Sequence, residues 1–194
     1  MSPVRTTYPT TLAFKNKTIS NQVSGQSIRF LQTAKDTAGA LLEMESTFQP
    51  NSVEPIPHYH PYQEEFFEIM SGELHVRLAN GLKVLKAGDK LHIPPNTIHS
   101  MWNAAAETAL VNWKVKPAMD TEYLLETGIG LANDGKVNEK GMPNLLQSIL
   151  IAYRFNKEYR PAKPAFIILR LAFLLLVPLA YLLGYRVTDK KYLD

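Results

Sequence analysis

Four side chains between His58 and His99 stand at spacings that allow an extended chain to bring them to one ion. His58 and His60 are two apart, so on a strand both imidazoles leave the same face. Glu65 opens a second run in which Glu65, Phe67 and Ile69 share one face, and Phe66, Glu68 and Met70 the other. His99 follows a rigid Pro94-Pro95-Asn96 bend that presents it. Three neutral imidazoles and one carboxylate suit a single borderline divalent transition metal: Fe, Mn, Ni, Zn, Co or Cu. The chain has no cysteine, so thiolate ligation and a disulfide framework are excluded and any ion must rest on His and carboxylate.

These residues need strands to position them, and the pattern supplies strands. Ile28–Gln32, Leu41–Phe48, Glu65–Met70, Glu73–Leu78, Leu82–Leu85, Lys90–Ile93 and Ala109–Lys116 alternate or carry short apolar runs, and turn residues separate them. Asn80-Gly81 is the strongest hairpin signal in the chain. Three prolines between Pro50 and Pro57 break the ladder before His58. Short strands at near-regular spacing predict one small antiparallel barrel. An arm over residues 1–25, with a short strand near Leu12–Phe14, precedes a barrel over 26–118. A helical extension over 119–194 follows. In the extension Thr121 is placed to cap a helix reaching about Leu131, weakened by Gly128 and Gly130. Asn144 is placed to cap a second helix with Leu145, Ile149 and Tyr153 on its apolar face.

The two histidine blocks resemble the paired motifs of the cupin superfamily, G-x5-H-x-H-x3–4-E-x6-G and G-x5-P-x-G-x2-H-x3-N. His58, His60, Glu65, Gly72, Gly88, Pro94, His99 and Asn103 match. Ser52 replaces the leading glycine, and Asn96 replaces the glycine after the prolines, where it keeps a left-handed turn accessible. The six-residue gap to Gly72 selects Glu65 over Glu64 as the carboxylate. The resemblance implies a mainly β fold, a small antiparallel double-stranded β-helix (jelly-roll cupin barrel) with C-terminal α-helices, and His58, His60, Glu65 and His99 as metal ligands. Tyr59, Gln63, Phe67, Ile69 and Met101, with Trp102, are candidate pocket walls. His75 and His92 read as half-exposed strand residues, and Asn103 as a turn anchor.

Such a fold hosts many chemistries. The complete ligand set leads to a mononuclear-metal enzyme, an oxygenase (dioxygenase-like) acting on a small aromatic or β-dicarbonyl-like molecule. A non-catalytic small-molecule binding or sensor protein is the alternative from another class, and a metal-dependent isomerase a third. Basic residues concentrate at the C-terminus, where residues 144–194 hold eight cations against Glu158, Asp189 and Asp194. No basic stripe with stacking aromatics appears, which excludes nucleic acid as the expected partner. Met1–Leu12 lacks an apolar signal core, so a cytoplasmic location is the expectation. The run 165–184 is apolar apart from Arg170 and is open to three readings: a helix in a homodimer interface or against the barrel, a membrane-surface or membrane-spanning anchor, or a pocket lid. A homodimer is expected from the resemblance and from this apolar surface.

Overall fold

Alternation of buried and more exposed residues, clearest in the strands at 42–48 and 64–71, builds two antiparallel sheets in the computed structural model, which describes residues 13–193. In chain order the first strands are β1 (Thr18–Ser20), β2 (Ser27–Gln32), β3 (Leu42–Phe48), β4 (His58–Tyr59) and β5 (Glu64–Ser71). They continue as β6 (Glu73–Leu78), β7 (Gly81–Lys86), β8 (Lys90–Ile93), β9 (His99–Trp102) and β10 (Ala109–Lys116). A last short strand, β11 (Arg160–Pro161), comes from the C-terminal extension. One sheet has the order β1-β2-β3-β10-β5-β8, the other β11-β4-β9-β6-β7. This is the mainly β, double-stranded β-helix arrangement expected, with helices after it.

The inner faces meet in one core. Phe67, Ile69, Ile93 and Val111 from the first sheet pack with Leu74, Val76 and Leu85 from the second. Full burial of a side chain of this size contributes about 1.5–3 kcal/mol, so this interface is what holds the sheets together. A second cluster (Ile28, Phe30, Leu42, Met44, Val115) is shared with Ile129 of the first helix. Between β5 and β6, Gly72 sits at φ 74° and its missing Cβ would lie 2.5 Å from the Thr108 carbonyl oxygen. No other residue fits that crossing. The β6–β7 hairpin turns through Ala79 and Asn80, with Leu78 paired to Gly81.

Three helices follow: α1 (Thr121–Asn133), α2 (Leu145–Arg154) and α3 (Phe166–Leu182). Asn144 caps α2 as expected, its Oδ1 accepting from Gln147 N at 3.1 Å. Several expectations are corrected. The N-terminal strand is Thr18–Ser20, and Ala13 and Phe14 lie outside any strand; Leu12 is outside the described residues. Asp120, not Thr121, occupies the α1 cap position, because Thr121 is drawn inward to accept from Gln63 Nε2 at 2.8 Å. Arg160–Pro161, in a region expected to be helical, pairs with β4 and extends the second sheet.

The apolar run forms α3, whose length is 17 residues. Its stripe of Leu169, Phe173, Val177 and Ala180 packs on Ile149 and Leu150 of α2. Among the described residues no helix is long and apolar enough to cross a membrane, which corrects the spanning version of the anchor reading.

Candidate metal centre

Strand pairing places His58 directly opposite His99, on β4 and β9 of one sheet. His60 follows two residues after His58, and its carbonyl accepts from Asn96 N at 2.8 Å. Asn96 adopts φ 62°, the left-handed conformation that its motif position requires, and so folds the bend before His99 back onto His60. Glu65 enters from β5 of the facing sheet. The histidine nitrogens that could bind an ion lie within 4.8 Å of one another. Glu65 Oε2 is 3.2 Å from His60 Nε2 and 3.0 Å from His99 Nε2. Glu65 and His99 are almost fully buried, at 1% and 2% exposed.

Every ring is oriented by a backbone carbonyl. His58 Nδ1 faces Ile56 O at 3.3 Å, His99 Nδ1 faces Thr97 O at 2.9 Å, and His60 Nδ1 makes a short bond to Glu158 O. A carbonyl only accepts, so each Nδ1 carries the proton and each Nε2 keeps its lone pair for the interior. Glu65 Oε1 accepts from Trp113 Nε1 at 3.0 Å, which leaves Oε2 turned toward the imidazoles. Among the described residues His60 Nε2 and Glu65 Oε2 have no hydrogen-bond partner, although both are buried. Lone pairs confronting one another in a desolvated pocket are costly until a cation or proton lies between them. The donor set therefore fits a divalent ion.

Electrostatics favour a neutral ring at His58, and at His60 they favour a positive charge, proton or ion, facing Glu65. Burial pushes the His58 imidazole down to about 3, helped by the neighbouring His99 and His60, so it is neutral and ready to ligate. Burial also works against a charged His60, but the Glu65 carboxylate and the Glu158 carbonyl outweigh it and raise that group. Glu65 resists ionisation through burial, yet His60 and His99 hold it well below the usual carboxylate range. An anion thus sits among imidazoles at neutral pH.

The remaining predicted residues scatter. Phe67 and Ile69 are core residues on the Glu65 face, and Phe67 stacks on Trp113 at 5.8 Å. Gln63 is buried, but its Nε2 donates to Pro117 O, Ala118 O and Thr121 Oγ1, so it ties the chain entering α1. Tyr59 lies on β4 opposite Arg160. Met101 lines a separate cavity of about 370 Å³ with residues of the 48–55 segment. Trp102 packs near His75 and Arg77, away from the ligands. Glu64 points outward and pairs with the exposed His92 at 2.9 Å. Asn103 is the turn anchor, bonding Phe48 O and Glu107 O through its amide, and Ser52 Oγ accepts from its backbone N–H at 2.8 Å.

Three neighbours of the ligands were missed in the sequence: Trp113, Glu158 and Tyr159. The Tyr159 ring stacks on His58 at 4.7 Å. Trp113 shares a strand face with Val111 and Val115, which was legible, but its neighbour Glu65 lies 48 residues away. Nothing local marks Glu158 or Tyr159.

A family model described as "Cupin domain" matches residues 44–113. Solved structures that the chain is similar to include an RmlC-like cupin from Shewanella frigidimarina, with 22% identity, TM-score 0.46, and 57% of this chain and 93% of that one covered. A cupin-like protein from Thermotoga maritima has 20% identity and TM-score 0.45, covering 55% of this chain and 80% of that one. A cupin-superfamily sugar phosphate isomerase from Silicibacter pomeroyi has 17% identity and TM-score 0.44, covering 52% and 70%. No curated protein matches the chain. Residues 44–113, which carry His58, His60, Glu65 and His99, thus match a cupin domain, and they make up about a third of the chain.

Proposed function

We propose that this cupin is a mononuclear-metal protein that acts on a small organic molecule as an oxygenase of the dioxygenase-like kind. The supporting observation is the meeting of Glu65 Oε2 with His60 Nε2 and His99 Nε2, at 3.2 and 3.0 Å, while every Nδ1 is engaged elsewhere. An ion held by His58, His60, His99 and Glu65 would supply dioxygen activation if redox-active, or polarisation of a substrate oxygen if not. The chain's own residues do the rest. Trp113 keeps Glu65 Oε2 aimed inward, the three carbonyls hold the imidazoles in the ligating tautomer, and Phe67 and Ile69 exclude water beside the carboxylate. A divalent ion with one carboxylate leaves a charge of about +1, which favours an anionic or chelating ligand. The apolar neighbours favour one that also carries a hydrophobic or aromatic part.

Protein purified without chelator tests this by metal quantification and oxygen uptake over a panel of small aromatic and β-dicarbonyl compounds. One ion per chain and uptake that disappears in His99→Ala are expected. Protein without a stoichiometric ion would sink the reading. Tight ligand binding with no oxygen consumed would favour the sensor alternative, and product formed without oxygen would favour an isomerase.

A further inference from the structure

The outward face of α3 is apolar along its whole length. Ile167, Ile168, Leu171, Leu174, Leu175, Pro178 and Leu182 are exposed, with Leu174, Leu175 and Leu182 at 72%, 76% and 85%. At 3.6 residues per turn they lie opposite the stripe that packs on α2. Soluble monomers rarely expose a contiguous apolar patch of more than a few hundred Å² without a partner for it.

Charge identifies the partner. Between Arg160 and Thr188 the chain has four cations (Arg160, Lys163, Arg170, Arg186) and no carboxylate. Lys163 precedes α3, Arg170 lies on its flank, and Arg186 follows its end; all three are exposed. Tyr153 of α2 and Tyr181 near the end of α3, at 47% and 40% exposed, each offer an apolar ring and a polar tip. A second copy docked here by a two-fold axis would set this rim of cations against itself, with no carboxylate in the segment to pair with it. An anionic lipid surface satisfies both features: acyl chains take the leucines, and headgroup phosphates take the cations. We propose that α3 lies in the plane of an anionic membrane surface and docks the protein there, without crossing it.

The test uses the intact chain and sedimentation with vesicles of phosphatidylcholine alone or mixed with phosphatidylglycerol. The protein should sediment with the anionic vesicles, and less so as salt rises. The double variant Leu171→Asp with Leu175→Asp should weaken that binding by roughly tenfold or more. Lys163→Gln with Arg170→Gln should remove mainly the preference for phosphatidylglycerol. A cooperative thermal melt like that of the parent protein shows that each variant is folded. No sedimentation with anionic vesicles, or sedimentation that the Asp pair leaves undiminished, would overturn the proposal. So would a wild-type dimer that the Asp pair splits while vesicles bind nothing, which would assign the face to a second copy.

Discussion

At the scale of residues, the candidate metal centre rests on the cluster of His58, His60 and His99, on Glu65 beside it, and on the groups that aim them. His60→Ala should lose most bound metal yet keep the fold, because no core cluster uses that ring; metal content read beside a thermal melt checks both halves. Trp113→Phe keeps the ring against Phe67 but deletes the donor to Glu65 Oε1. Loss of an outer partner of this kind lowers metal affinity by about 10–100-fold, and a chelator-competition titration would measure it. An unchanged affinity would mean that Oε2 needs no help to face inward. The meeting of the three histidines was legible because their motif spacing is local, whereas Trp113 and Tyr159 reach the cluster through strand pairing and a distant loop. Gln63, Tyr59 and Met101 were chosen for proximity in sequence, but the first is committed to Pro117, Ala118 and Thr121, the second lies opposite Arg160, and the third lines another cavity.

At the scale of elements, strand periodicity placed most of the sheets correctly, since one face of each strand must be buried. Helix ends fared less well, as Thr121 shows: a residue that can cap was instead claimed by Gln63. Gly128 and Gly130 looked like weak points, yet α1 runs through both. Gly130 has a packing reason, for a Cβ there would lie 2.3 Å from Cγ of Tyr192. The 3₁₀ turn Lys190–Tyr192 docks at that point, with Tyr192 Oη donating to Asp134 Oδ2 at 2.6 Å and Lys191 Nζ beside it. Gly130→Ala should therefore destabilise by about 1–3 kcal/mol through overpacking, despite the better helix propensity of alanine. A gain in unfolding midpoint would show that the tail simply moves aside.

At the scale of the whole molecule, the helical extension brings buried acids to the edge of the β core. Glu122 is pushed up to about 7 by burial, with Glu126, Asp36 and Asp120 adding repulsion. Burial also raises Glu126, against the pull of its Lys17 partner. A raised carboxyl favours the folded state below its unfolded value, and that contribution is lost as pH climbs from about 4.5 through the folded value near 7. Glu122→Gln retains an acceptor for Ala34 N, so it should raise the melting temperature above about pH 8 and change it little near pH 5. Equal shifts at both pH values would contradict the assignment.

The acceptor that steers His60 is the main-chain carbonyl of Glu158, supplied by the loop between α2 and the strand laid against β4. Alanine scanning would therefore pass straight over it, because every amino acid brings the same oxygen. Only cutting, lengthening or circularly permuting the chain in that loop would free the ring to swing.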